Sequence, residues 1–466
     1  MNTDVNIIGG GLAGSEAALQ LAARGAHVAL IEMRPAIQTA VHKTGGYAEL
    51  VCSNSLKSTK PDSAAGMLKY ELGALGSRLL AAAEATRVPA GGALAVDREA
   101  FSEAVTRAVE SAPNIERVSG EVTALRPDGT LEVRGTDGGA ALRRARATIV
   151  ATGPLTSDAL AAQIESLTGE DHLSFYDAAA PIVLTESLDR SILFRQDRYG
   201  GDAQGDYLNA PFTMAEYEAF ITELLGAERV IAKDFETKEL FRACQPIEEI
   251  ARRGFDAPRH GTMKPVGLTD PRTGRRPWAA VQLRFEDAYG TSCNLVGFQT
   301  NLTFPEQRRV FRMIPGFAAA EFARYGVMHR NTFFDAPQLL DAHLRLRAAD
   351  HPLYFAGQVG GTEGYCEAIM SGLYAALAVA ADLRGVALPP LPADTAFGSL
   401  LAYATDPATR DYQPSHVNFG IIPPLAAPIK NKRDRYAAFA ARGRAAIDGW
   451  CAAVRAAGLM PSAQGA

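Results

Sequence analysis

The chain is 466 residues long and 47% hydrophobic, enough to bury a sizeable core and to form two or three domains. Lys and Arg number 47 against 52 Asp and Glu, so a net charge of -5 excludes indiscriminate nucleic-acid binding and leaves any RNA contact to a local basic face. The five cysteines, Cys52, Cys244, Cys293, Cys366 and Cys451, are odd in number, far apart and without CxxC or Cys/His spacing, which argues against a disulfide framework and against a metal centre.

The N-terminus "MNTDVNIIGGGLAG" has no charged leader, and no apolar run reaches the roughly 18 residues that a membrane helix requires. The expectation is an unprocessed protein of a reducing cytoplasm. "DVNIIGGGLAGSEAALQLAARGAHVALIE" reads as strand, glycine turn, alanine-rich helix and second buried strand, a β-α-β unit that implies a parallel sheet. Gly9, Gly11 and Gly14 give G-x-G-x-x-G, with Gly10, Leu12 and Ala13 as the small and apolar residues between them. Such a turn lets the backbone approach a pyrophosphate, which the amides at the helix N-terminus stabilise. Glu32 ends the second strand, where an acid accepts hydrogen bonds from a ribose and disfavours a 2'-phosphate, pointing to FAD or NAD.

Further along, "RVSGEVTALRPDGTLEVRG" alternates like a hairpin or meander around Pro-Asp-Gly, and "RATIVATG" returns a strand to a glycine turn at Gly153. From about Pro181 the texture changes: strand-like "PIVLTESL", "WAAVQLRFED" and "CNLVGFQTNLTF" are separated by helical "TMAEYEAFITELLG" and the basic loop "TDPRTGRRPW". "HPLYFAGQVGGTEGYCEAIMSGLYAALAVAADL" then resumes strand, glycine turn and helix. The reading is an α/β protein: a Rossmann-like FAD-binding domain of the glutathione-reductase type, split into residues 1–180 and 336–466, with an inserted α+β domain over 181–335 that takes the substrate or RNA. "IKNKRDRYAAFAARGRAAIDGWCAAVRAAG" reads as an amphipathic helical tail and "MPSAQGA" as a frayed end. The small residues of "IVATG" and "YFAGQVGG" suit a long extended cofactor, so FAD fits better than NAD. No second G-x-G-x-x-G follows a strand, which leaves hydride to a transiently bound NAD(P)H.

A cysteine thiolate is a strong nucleophile when cations or a helix N-terminus lower its pKa, but an isolated cysteine is more often a small buried apolar side chain. Cys52 in "ELVCSNSLKS" and Cys244 in "FRACQPIEE" lie in polar, turn-rich surroundings; Cys293, Cys366 and Cys451 keep the packing role. Arg252, Arg253, Arg259, Lys264, Arg272, Arg275, Arg276, Arg308, Arg309 and Arg312 crowd into the insert and offer a basic face for RNA, with a solvated surface as the alternative. From the residues alone the roles of the two cysteines stay open.

The strings "GGGLAGSEAA", "IEMRP", "ELVCSNSLKS", "FRACQPIEEIARRG", "NLVGFQTNL", "RVFRMIPG", "EFARYGVMHRNTF", "GQVGGTEGYCEAIMSG" and "NFGIIPPL" together resemble the bacterial folate- and FAD-dependent tRNA (uracil-5-)-methyltransferases, the TrmFO family, in order and over nearly the whole chain. Two departures are "FRAC", where an acid and a glycine commonly precede the cysteine, and the arginine-rich loop near Arg272–Arg276, which is longer than usual. The resemblance implies methylation of the T-loop uridine, tRNA position 54, to ribothymidine, with 5,10-methylenetetrahydrofolate as carbon donor and FAD, reduced by NAD(P)H, as electron donor. It implies Cys244 as the nucleophile adding to uracil carbon-6, with Cys52 assisting proton removal or one-carbon transfer. It further implies Glu32 and Arg34 at the adenosine end of FAD, Gly357, Gln358 and Gly361 along the pyrophosphate and ribityl chain, and Tyr365 near the isoalloxazine, where it could equally be a core aromatic. Arg252, Arg253, Arg275 and Arg276 are the expected RNA contacts. The competing readings are the MnmG-type flavoprotein of wobble uridines, which carries a long C-terminal helical domain, a ribosomal RNA methyltransferase of the same fold, a generic flavin oxidase, and a non-catalytic flavin-fold RNA-binding module.

Overall fold

The structure is a computed structural model that describes residues 3–39, 41–169, 173–198, 205–231, 245–410 and 412–460. Its centre is a five-stranded, all-parallel sheet in the order Leu353–Phe355, Ala147–Val150, Val5–Ile8, Val28–Glu32, Ile115–Ser119. Four of these strands, Val5–Ile8, Val28–Glu32, Ala147–Val150 and Leu353–Phe355, are buried along their whole length, as a sheet covered on both faces demands. One covering layer pairs the helix Leu12–Ala22 with the 20-residue helix Tyr365–Arg384. They pack so closely that a Cβ on Gly372 would lie 2.1 Å from the Ala13 carbonyl oxygen. Tyr365–Arg384 is the only described helix long and apolar enough to cross a membrane, and 83% of its apolar window is buried inside the molecule. The sequence reading saw no such run; the helix is apolar because the core surrounds it.

The meander is present as the three-stranded antiparallel sheet Glu121–Leu125, Leu131–Arg134, Ala140–Arg143. A six-stranded antiparallel sheet follows in the order Phe194–Arg195, Leu208–Phe212, Ala279–Phe285, Ser292–Leu295, Ile182–Leu184, Phe322–Arg324. "CNLVGFQTNLTF" stays a strand only to Leu295. At Gly297 the backbone turns left-handed (φ +76), and the rest becomes a loop whose buried Asn301 side chain bonds the backbone of Ile231. The chain holds two separate large cores, one built from Val5 to Ile164 and Phe333 to Leu459, the other from Val183 to Ala320. The antiparallel pair Leu173–Ala178 with Met328–Phe333 joins them.

The C-terminal helix Lys432–Ala456 is more than a tail. Phe439, Ala440, Gly443, Ile447, Trp450, Cys451 and Val454 recur on one face and are buried, and the Trp450 indole donates to the Pro389 carbonyl at 2.9 Å. The final segment read as frayed, from residue 461 on, lies outside the described residues.

Candidate active site

The glycine turn between Val5–Ile8 and Leu12–Ala22 separates three functions. Gly9 (φ +101) would clash with the Ala151 carbonyl if it carried a Cβ, at 2.6 Å, and Gly14 with Gly9 itself, at 1.9 Å; both permit the strand–turn–helix packing. A Cβ on Gly10 would meet the Tyr47 ring at 2.5 Å. Gly11 alone of this group faces open space, with no protein atom within 4 Å. That is the arrangement in which a ligand backbone lies against the helix N-terminus.

From this turn a continuous cleft runs in two directions. One arm, of about 570 Å³, is lined by Gly9, Gly11, Glu32, Arg34, Thr39 and His42 among others. The other, of about 860 Å³, contains Leu12, Ala13, Gly153, Gly357, Gln358 and Tyr365, and also Cys52. The arms share Gly11, His42, Ala151, Thr152 and Leu155. In the first, the Glu32 carboxylate accepts from the Gly10 amide (2.7 Å), the Arg34 amide (3.0 Å) and the Arg34 guanidinium (2.9 and 3.2 Å). Burial would raise the Glu32 pKa, but Arg34 beside it outweighs this and holds the carboxyl below its ordinary value, so it stays ionised. Arg34 is itself buried and reaches Glu49 at 3.4 Å, so the pair is a built-in anchor of the turn rather than two independent ligand contacts.

The second arm brings a cysteine to its wall. The Tyr365 hydroxyl oxygen accepts the amides of Cys52 (3.0 Å) and Ser53 (3.1 Å), and this bond draws the half-buried Cys52 to the cleft wall. Burial first and the Cys52 sulfur next push the Tyr365 phenol up, so it keeps its proton. Tyr365 both lines the cleft and packs against the first core. Gly361 stands apart. It does not line the cleft, and a Cβ there would strike the Tyr412 hydroxyl at 2.1 Å, so its glycine serves packing behind the wall.

Of the polar group around this arm, sequence reasoning named only Gln358. Asn331 Oδ1, Gln358 Nε2, Thr362 Oγ1 and Glu363 Oε2 are buried and have no hydrogen-bond partner, and all four residues line the arm. Buried polar atoms are nearly always paired, so four around one cavity mark a place where a ligand supplies the partners. Asp177 completes the group, its carboxyl pushed up by burial to about 7. The open face at Gly11, the long cleft and these polar atoms fit an extended dinucleotide with a hydrogen-bonding ring at its far end, as FAD is. Asn331, Thr362 and Glu363 lie in no motif legible by spacing and sit only in strings quoted for their resemblance.

Three arginines fasten the Cys52 loop to the insert. Arg98 donates to the carbonyls of Leu50 (2.5 Å) and Cys52 (3.1 Å) while ion-paired to Glu286. Arg324 donates to Val51 (2.7 Å), and Arg284 to Asn54 (2.7 Å) and Ser53 (3.1 Å). The sulfur's loop is thus shared between the two cores. Cys244 lies outside the described residues. The segment after it does not, and it assigns the two acids of "FRACQPIEE". Glu248 is fully buried and accepts from the Asn301 amide (2.5 Å) and the Thr300 hydroxyl (3.0 Å), and Glu249 pairs with Arg229 (3.1 Å). They anchor the start of the helix Ile247–Arg253 and take no part in the cleft.

Of the basic residues, Arg252, Arg253, Arg275 and Arg276 are exposed on the insert. Arg259 lies 3.6 Å over the Trp278 ring, Arg309 is ion-paired to Glu223 and Glu306, and Arg312 bonds the Ala320 carbonyl; Arg252 also pairs with Glu249 at 3.6 Å and Arg253 donates to Gln245 at 2.6 Å, partners that the charge pattern did not show. Cys293, Cys366 and Cys451 are buried, as their packing role requires.

The family model described as Glucose inhibited division protein A matches residues 4–387. The protein called methylenetetrahydrofolate–tRNA-(uracil-5-)-methyltransferase TrmFO from Geobacter sulfurreducens is 51% identical over 454 residues, 97% of this chain and 100% of that protein. Its namesake from Geotalea uraniireducens is 52% identical over 446 residues, 96% and 98% of the two chains. The chain belongs to the TrmFO family. Among solved structures, Aquifex aeolicus GidA superposes with a TM-score of 0.71 at 18% identity over all of this chain and 74% of its own, which shows a shared fold. The structure brings the cleft and the Cys52 loop together at Tyr365.

Proposed function

We propose that this protein methylates carbon-5 of a uridine in the T loop of tRNA, position 54, to ribothymidine, taking the carbon from 5,10-methylenetetrahydrofolate. The observation that carries the reading is the Tyr365–Cys52 contact, which holds a sulfur on the wall of a cleft built for a flavin dinucleotide. Bound FAD, reduced by NAD(P)H, supplies the two electrons by which a methylene unit exceeds a methyl group in oxidation state. The residues do the rest. Gly11 and the following helix N-terminus seat the pyrophosphate, Glu32 with Arg34 rigidifies the adenosine end, and Gly357 and Gln358 flank the chain between. Gly153 and Leu12 and Ala13 close the other side. Cys244 is the thiolate that adds to uracil carbon-6, which makes carbon-5 nucleophilic. Cys52 takes part in removing the carbon-5 proton or in one-carbon transfer. Arg252, Arg253, Arg275 and Arg276 contact RNA phosphates with the salt dependence such contacts bring. The protein works in the cytoplasm, where tRNA, folate and reduced thiols coincide.

The test is to incubate the flavin-loaded protein with methylenetetrahydrofolate, NAD(P)H and an unmodified tRNA transcript, digest the RNA and look for ribothymidine. Its appearance at the T loop, and loss of product without folate, are expected. Product elsewhere in the tRNA would favour a wobble-uridine enzyme, and product only on ribosomal RNA a different substrate.

A further inference from the structure

An aromatic column stands beside the Cys52 loop, and its outer two rings belong to neither core. The rings of Phe322, Tyr325 and Phe304 stack in sequence, with centroids 5.2 and 5.0 Å apart and planes within 21° and 17°. The neighbouring core pairs are tilted or edge-on instead, at 54° for Phe212–Phe220 and 73° for Phe298–Phe311. Phe322 ties the inner end to the second core, while Tyr325 and Phe304 belong to neither core and Phe304 is 50% exposed. Arg308, one turn along from Phe304, lies 5.8 Å over the Tyr325 ring and donates Nε to its hydroxyl at 2.9 Å.

The column is not needed to hold its own loop. Gln307 already pins Gly326 from both sides, accepting its amide and donating to its carbonyl, each at 2.8 Å. Its position is informative: Tyr325 directly follows Arg324, whose guanidinium bonds the carbonyl of Val51, the residue before Cys52. A stack of rings with an exposed outermost ring and a cation beside it is the arrangement by which proteins hold unstacked bases of single-stranded RNA, and here it adjoins the Cys52 loop.

We infer that the Phe304–Tyr325 column is a stacking platform for a base next to the uridine that enters the cleft, gripping the RNA loop while the target nucleotide is drawn out of its stack. The inference rests on the RNA-methylating reading above and deepens it. Its chemistry selects a base face rather than a base edge, so it gives affinity and register without strong sequence preference.

The test measures the dissociation constant of an unmodified T-arm hairpin for wild type and for Phe304→Ala, Phe304→Leu and Phe304→Trp, beside RNA-independent NAD(P)H oxidation and the unfolding midpoint. Stacking on an aromatic ring predicts that Ala and Leu both weaken binding by roughly five- to hundredfold, that Trp retains it, and that oxidation and midpoint do not move. Leu binding as well as Phe would show a merely apolar cover and overturn the platform, as would unchanged binding in Ala. Binding that depends on Phe304 in a wild type that makes no ribothymidine would support the platform and overturn the methylation reading.

Discussion

At Gly14 a methyl group would lie 1.9 Å from the Gly9 carbonyl oxygen, whereas at Gly11 it would meet no protein atom within 4 Å. The two glycines therefore fail differently when replaced. Gly14→Ala forces strand and helix apart, and overpacking of this kind costs about 1–3 kcal/mol; thermal unfolding of the flavin-free protein will show the midpoint fall. Gly11→Ala leaves that midpoint in place and instead weakens FAD retention by about tenfold or more, read from flavin absorbance after gel filtration, because its methyl group occupies the ligand's side of the turn. Equal losses of stability in both variants would contradict this division. The G-x-G-x-x-G spacing marks all of these positions alike in the sequence; which glycine faces the ligand depends on where Ala151 and Tyr47 approach, and those contacts are long-range.

At the level of elements, the helix Ile247–Arg253 is held by buried Glu248, not by intrinsic helix strength. Burial pushes this carboxyl from its ordinary 4.5 up to about 7. Because the folded-state pKa is raised, the neutral acid favours folding: that stability is complete below the unfolded pKa and is lost as pH rises through about 7. The shift corresponds to on the order of 3 kcal/mol. Asp177 and Glu71 are buried acids raised to about 7 and act in the same direction. Thermal melts between pH 5 and 8 should show the midpoint falling as pH rises, with a shallower fall in Glu248→Gln; identical slopes would refute the assignment. The two acids of "FRACQPIEE" read in sequence as neighbours of a reactive cysteine. The bonds of Glu248 to Thr300 and Asn301, 52 and 53 residues away by chain, could only appear once the loop after Leu295 was folded, and the Glu249–Arg229 pair spans 20 residues. The meander and the β-α-β unit were legible because each is set by local period and turn chemistry. The burial of the C-terminal helix was not, since its stripe reads equally as a tail and as a core face.

Taken whole, the molecule is two cores sharing one loop. Arg98, Arg284 and Arg324 reach across to the backbone and side chains of residues 50–54, so the Cys52 sulfur is placed by contacts from both cores. The fold class was readable from glycine turns at both ends of the chain. The unpartnered Asn331, Thr362 and Glu363 were not, because a cavity gathers them from separate strands and turns and gives them no common spacing. The central claim is that a thiolate from the insert adds to a uracil delivered to this cleft. Its most direct test is a T-arm RNA carrying 5-fluorouridine at position 54, incubated with the flavin-loaded protein, methylenetetrahydrofolate and NAD(P)H and resolved by denaturing electrophoresis. A covalent protein–RNA adduct in wild type that disappears in Cys244→Ala is the predicted result. An adduct that persists undiminished in Cys244→Ala would contradict it.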